Sequence, residues 1–171
     1  MAPDLRVESA TLSEPDDAEL AWKVIAPAYD AVDIYSGPTA FLESLQPLTR
    51  GQRALLAINW CVAEVHNGGF LQFFDNPTAV VAAEAVTGLR LIGVPEGAEL
   101  ILAATALLKS EPSRSGASDR ALDANGDADS LDALRERLAP LEERFDQLVE
   151  ESVYSQAAAF VRSHQDDFIR S

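Results

Sequence analysis

The sequence predicts an all-α fold: a single compact multi-helix domain of about six to eight helices with no sheet. Three observations carry that expectation. Leu131, Leu134, Leu138, Leu141, Phe145 and Leu148 recur at alternating spacings of three and four, the period of a helix face turned toward a neighbour. Residues 54–65 are apolar on nearly every side, which suits a helix enclosed by others. No stretch of convincing length alternates apolar and polar residues as a strand does, and no internal repeat divides the chain.

In chain order, residues 1–12 read as a loose lead-in, so that the helical domain spans 13–171. Ser13 is a good N-cap, followed by Glu14, Asp16 and Asp17 where the positive end of a helix dipole favours carboxylates. That helix reaches about Ala31, bent or broken at Pro27. Gly37-Pro38 punctuates, and 39–45 forms a short amphipathic turn or helix. Thr49-Arg50-Gly51-Gln52 has the capping-box pattern and opens the apolar helix, which Asn67-Gly68-Gly69 stops. After the aromatic segment 70–74, Asn76-Pro77 reads as N-cap and first helical residue. Glu84, Thr87 and Arg90 mark the outer face of the next helix, which ends at Gly93, and Pro95 starts another. Residues 110–130, rich in Ser, Gly and Asp, read as a mobile surface loop. The leucine seam comes next, on a helix that Pro140 kinks or splits, and 153–168 is the last helix, with Phe160, Val161 and Phe168 as core contacts.

Charge narrows the function classes. Twenty-eight acidic residues stand against 13 Lys and Arg, a net −15, and the excess is shared by both halves of the chain. Direct binding to nucleic acid or an anionic membrane is disfavoured by repulsion; a basic protein partner is permitted. The longest apolar run, 54–65, is too short to span a bilayer and contains Asn59 and Glu64, and residues 1–19 lack the apolar core of a secretory leader. The cytoplasm is the expected location. Cys61 is the single cysteine, and two histidines, His66 and His164, complete the soft ligands, so no metal site is expected. Nucleophile elbows and phosphate loops are absent from the sequence; no cofactor and no catalysis are expected.

The densest constellation is the corner at 64–76. Glu64, Asn67, Gly68, Gly69, Phe70, Gln72, Phe73, Phe74 and Asn76 have a sufficient structural role there: glycines end a helix, aromatics plug the core, and polar side chains satisfy free backbone groups. The functional alternative gathers Glu64, His66, Asn67 and Gln72 around a small pocket for a ligand or a reaction.

The same run, Glu64-x-x-Asn67-Gly68-Gly69-Phe70-x-Gln72-Phe73-Phe74-x-Asn76, resembles the signature of a bacterial DNA-mimic-protein-like helical family, most members of which are uncharacterised. The resemblance extends to the Ala-rich helix ending at Ile92-Gly93 and to Leu138, Leu141, Glu142 and Phe145, covering about Gln52 to Phe168. Asp is usual in that family where this chain has Glu142. The resemblance implies an all-helical domain, often dimeric, whose typifying member occupies the DNA-binding surface of a transcription factor.

Mimicry would need clustered charge. A chain of 18.4 kDa exposes roughly 8,000 Å², hence one net charge per roughly 500 Å², against about one per 100 Å² on duplex DNA. The seam helix offers one cluster: Asp132, Glu136, Glu143, Asp146 and Glu150 point away from the seam, with Glu142 beside it. An ordinary solvated outer face explains the same pattern. The seam itself packs within the monomer or pairs two subunits. Two binding functions are therefore expected: an acidic module that engages a basic surface, including that of a DNA-binding regulator, or an immunity or antitoxin-like inhibitor of a toxic enzyme.

Overall fold

Gln52 shows how the architecture is held at its centre. It sits at the third position of a long helix, and its side-chain oxygen accepts the N–H of the N-cap Thr49 while the Thr49 hydroxyl accepts the Gln52 N–H, closing the capping box. The computed structural model describes residues 4–110 and 124–170. Among them the chain is helical: α1 (Asp17–Lys23), α2 (Ala26–Tyr29), α3 (Pro38–Ser44), α4 (Arg50–Asp75), α5 (Ala82–Leu91), α6 (Pro95–Ser110), α7 (Ala124–Leu148) and α8 (Tyr154–Ser163). A π turn, Val149–Val153, joins α7 to α8 without interruption. The expected all-α domain is what forms, with no sheet among the described residues.

α4 is the axis. Leu55, Leu56, Ile58, Cys61, Val62 and Val65 are all buried, on different sides of the helix, because α5, α6, α7 and α2 each pack on it. Its closest neighbour is α5. A Cβ at Gly88 would lie 2.8 Å from the Ala54 carbonyl oxygen, so only glycine lets the two backbones approach this far. The seam of α7 packs inside the monomer, with Leu134, Leu138, Phe145 and Leu148 buried against α4 and α6. Leu131 is 39% exposed at its start. α8 turns its Ala157, Ala158 and Val161 inward and lies against α1.

Several expectations are corrected. Residues 4–12 are tied down: Val7 N–H donates to the Phe168 carbonyl at 2.8 Å and Arg170 N–H to the Val7 carbonyl at 3.0 Å, a single parallel bridge. The buried Gln52 amide donates to the Leu5 carbonyl at 2.9 Å, and Leu5, Val7 and Leu12 pack on the core. Two extended segments satisfy each other's backbone groups here, a long-range pairing that local patterning does not announce. Ser13 is no N-cap; it ends a 3-10 turn, Ser9–Ser13. Pro15 holds Glu14 extended, so the helix starts after it, capped by Asp16 accepting the Glu19 N–H at 2.8 Å.

Further on, the Asn76 side chain makes no capping bond, and Pro77–Val81 is a 3-10 turn ahead of α5. Of the loop expected at 110–130, residues 111–123 lie outside the described residues, Ser110 belongs to α6 and 124–130 are helical. A helix anchored by Leu134 and Leu138 propagates back through residues of poor propensity. Pro140 does not split α7, since its missing N–H falls on the exposed side. The last helix stops at Ser163, and Gln165–Asp167 is a 3-10 turn that seats Phe168 in the core. None of the helices among the described residues is long and apolar enough to cross a membrane.

Candidate binding face and the glycine corner

At the corner the first helical stretch of α4 stops at the glycines, as the sequence predicts, and a second stretch follows across a kink. Backbone angles leave helical values at Gly68 (φ −161°, ψ 17°) and Gly69 (φ 74°, ψ 178°), and the helix resumes at Phe70. Gly69 requires glycine twice over: its φ lies in the left-handed region, and the Glu142 carboxylate fills the space a Cβ would take. The bend leaves the Phe70 N–H without an intrahelical acceptor, and Glu142 Oε1 accepts it at 2.8 Å. Phe70 and Phe73 are fully buried, Phe70 meeting Phe145 of the seam edge-on with centroids 5.5 Å apart, while Phe74 is half-buried. The Gln72 side chain lies over Gly68. Asn76 reaches back with its amide nitrogen to Glu64 Oε2 at 2.8 Å, and Asn67 is exposed.

The small pocket imagined around Glu64, His66, Asn67 and Gln72 does not form. Glu64 is engaged with Asn76, His66 faces Asp146, and Asn67 points to solvent. Gln72 instead lines an open cleft of about 490 Å³ with Asp75, Arg135 and Glu142 across from the glycines. The nearby Cys61 is buried, and burial, with Glu64 adding to it, pushes its thiol pKa far above the ordinary value.

The six acidic residues expected to form one binding face part ways. Glu136, Glu143 and Glu150 are exposed, and no ion pair involving them is seen among the described residues. Asp132 is exposed but paired with Arg135 at 2.8 Å. Asp146 is half-exposed and its Oδ1 lies 3.0 Å from His66 Nε2. That approach is not aligned as a hydrogen bond, and the shielded Oδ1 has no other donor. Glu142 is removed from the face altogether, since its carboxylate turns inward to the α4 bend. Sequence spacing placed it beside the seam; the unpaired Phe70 N–H, visible only once the bend is known, decides its direction.

Arginines are consumed elsewhere. Arg144 spans to α6, where its Nε sits 2.7 Å from Glu96 Oε1, and also meets Glu151 at 3.2 Å. The bond from Arg144 holds the Glu96 carboxyl below its usual range, and Glu96 and Glu151 raise the Arg144 pKa in turn. Arg90 pairs with Glu99, and Arg162 with Asp17, joining α8 to α1. Missed by sequence reasoning is an aromatic group of Trp22, Tyr29 and Trp60; Trp60 is too far along the chain from the other two for a spacing rule to join it to them.

A family model described as DMP19-like protein matches residues 46–164, which span α4 through α8 and hold both the glycine corner and the exposed glutamates. No curated protein and no solved structure matches the chain. With more than half its length inside that match, the chain belongs to the DMP19-like protein family.

Proposed function

We propose that this chain is a non-catalytic cytoplasmic binding protein that presents exposed carboxylates to a basic protein surface, acting as a DNA mimic toward a DNA-binding regulator. The observation that carries this reading is the state of Glu136, Glu143 and Glu150: exposed, seven residues apart, and not joined to any arginine or lysine among the described residues. Seven residues of α-helix advance about 10.5 Å, so the three carboxylates run along one side of α7 into the π turn. Nearby cations are already committed, Arg135 to Asp132 and Arg144 to Glu96 and Glu151. The face therefore keeps its negative charge.

Magnitude limits what the face can do. Three charges at about 10.5 Å intervals are far sparser than a duplex, which carries one per about 1.7 Å of axis. They supply a few anchoring contacts, while the surface as a whole, 9322 Å² carrying a net −15, steers the approach of a basic partner. The test is charge reversal. Glu136→Lys, Glu143→Lys and Glu150→Lys together should abolish salt-sensitive capture of basic DNA-binding proteins, with far-UV circular dichroism unchanged. Undiminished capture by the triple variant would remove the proposal.

A further inference from the structure

Three of the five large apolar side chains exposed among the described residues, Trp22, Tyr35 and Leu42, crowd into one segment, at 38%, 70% and 56% exposure. Behind them Trp22 meets Tyr29 edge-on, centroids 5.2 Å apart, and Tyr29 stacks on Trp60 at 4.5 Å with planes 11° from parallel. Tyr29 and Trp60 form one wall of an open cleft of about 450 Å³ that is also lined by Tyr35, Asp30 and Asp33. Asp33 Oδ1 accepts the N–H groups of Tyr35 and Ser36, which fixes the turn carrying Tyr35. Asp30 is exposed and has no ion-pair partner among the described residues. The Tyr29 phenol has a raised pKa, first through burial and then through Tyr35, Asp30 and Glu64, so negative groups surround the stack and the phenol stays protonated at neutral pH. Lysine and arginine are absent from the lining.

A cleft with aromatic faces, carboxylates and no resident cation suits a planar cation. Guanidinium is less strongly hydrated than ammonium and stacks on rings, so it gains more here than lysine would. We propose that this cleft seats one arginine side chain of the basic partner protein, the guanidinium against Tyr29 and Tyr35 and its charge met by Asp30. The occupant is chosen by charge complementarity: a net −15 chain, two carboxylates in the lining, and the aromatic composition of interface anchors. The inference rests on the basic-partner reading but not on the α7 face. Residues 29–35 precede the family-matched stretch 46–164, and of the stacked rings only Trp60 lies within it.

The probes are octa-arginine and octa-lysine peptides, read by Trp60 fluorescence in a Trp22→Phe background. They are titrated into that protein and into the same protein carrying Glu136→Gln, Glu143→Gln and Glu150→Gln. The expected result is a Trp60 response to octa-arginine in both, several-fold weaker for octa-lysine. The pair Asp30→Asn and Tyr35→Ala should weaken it by about fivefold or more. Equal responses to both peptides, or no effect of the Asp30 and Tyr35 substitutions, overturns the cleft. Binding that disappears with the three glutamates and never reaches Trp60 overturns the cleft and leaves the α7 face standing. A Trp60 response that survives undiminished without the glutamates supports the cleft and counts against that face. Circular dichroism of each variant establishes that the comparison is between folded proteins.

Discussion

A single carboxylate decides whether the bend of α4 is stable. Glu142 gives the Phe70 N–H its acceptor, and a half-buried hydrogen bond to a charged group contributes about 1.5–3 kcal/mol. Glu142→Ala should lower the urea-derived stability by an amount of that order, and Glu142→Gln, which keeps an acceptor oxygen, by distinctly less. Gly69→Ala adds strain at φ 74° to a clash with the same carboxylate, so it should cost about 1 kcal/mol or more. A second residue-scale expectation concerns Glu96. Its carboxyl titrates below the ordinary range because Arg144 bonds its charged form, so Arg144→Met should return the midpoint, tracked by carboxyl NMR shifts, to the ordinary value. The glycine corner was legible from Asn67-Gly68-Gly69, since few residue types tolerate such angles. The use of Glu142 was not legible, because a carboxylate in the sequence carries no sign of which backbone donor will be left over.

Among elements, α7 gives the clearest contrast. Leu138 and Phe145 are fully buried, so Leu138→Ala should cost about 2–5 kcal/mol and Phe145→Ala about 3–5 kcal/mol. Leu131, 39% exposed, should lose less than about 1 kcal/mol on truncation; thermal and urea unfolding order the three. The seam was readable because period and burial coincide, and α4 because Thr49 and Gln52 carry its start in local chemistry. Reading failed where distant partners decide. Residues 4–12 gain order from Phe168 and Gln52, and 124–130 are helical because Leu134 and Leu138 anchor the turns beyond them. Ser13 against Asp16 is a different kind of error: both are capping types, and Pro15 selects between them.

For the molecule as a whole, salt should act in two opposite directions. Raising ionic strength from a low value to about 0.5 M screens the self-repulsion of a net −15 chain and should raise the melting temperature, while it weakens capture of a basic partner. Acid acts through the paired carboxyls. Asp4 is lowered to about 2 by Arg6, Glu14 is lowered by Lys23, and Glu96 by Arg144. Folded-state values below the unfolded ones mean that their stabilisation is complete above the ordinary carboxyl range and fades as pH falls through the folded values. Falling pH also relieves the self-repulsion, so the expected melting temperature holds or rises down to the isoelectric region near pH 4.3 and declines from there toward roughly pH 2 as these pairs are lost. The π turn at Val149–Val153 has its own consequence for how the chain tolerates change in length. It holds a surplus of backbone that lets α7 address α4 and α6 while α8 addresses α1. A turn closed by i→i+5 bonds carries one residue more than an α turn for nearly the same rotation, so excising Ser152 should let ordinary winding run through with Ala157 and Val161 still on their seat. The same one-residue deletion within α8 would swivel everything beyond it by about 100°.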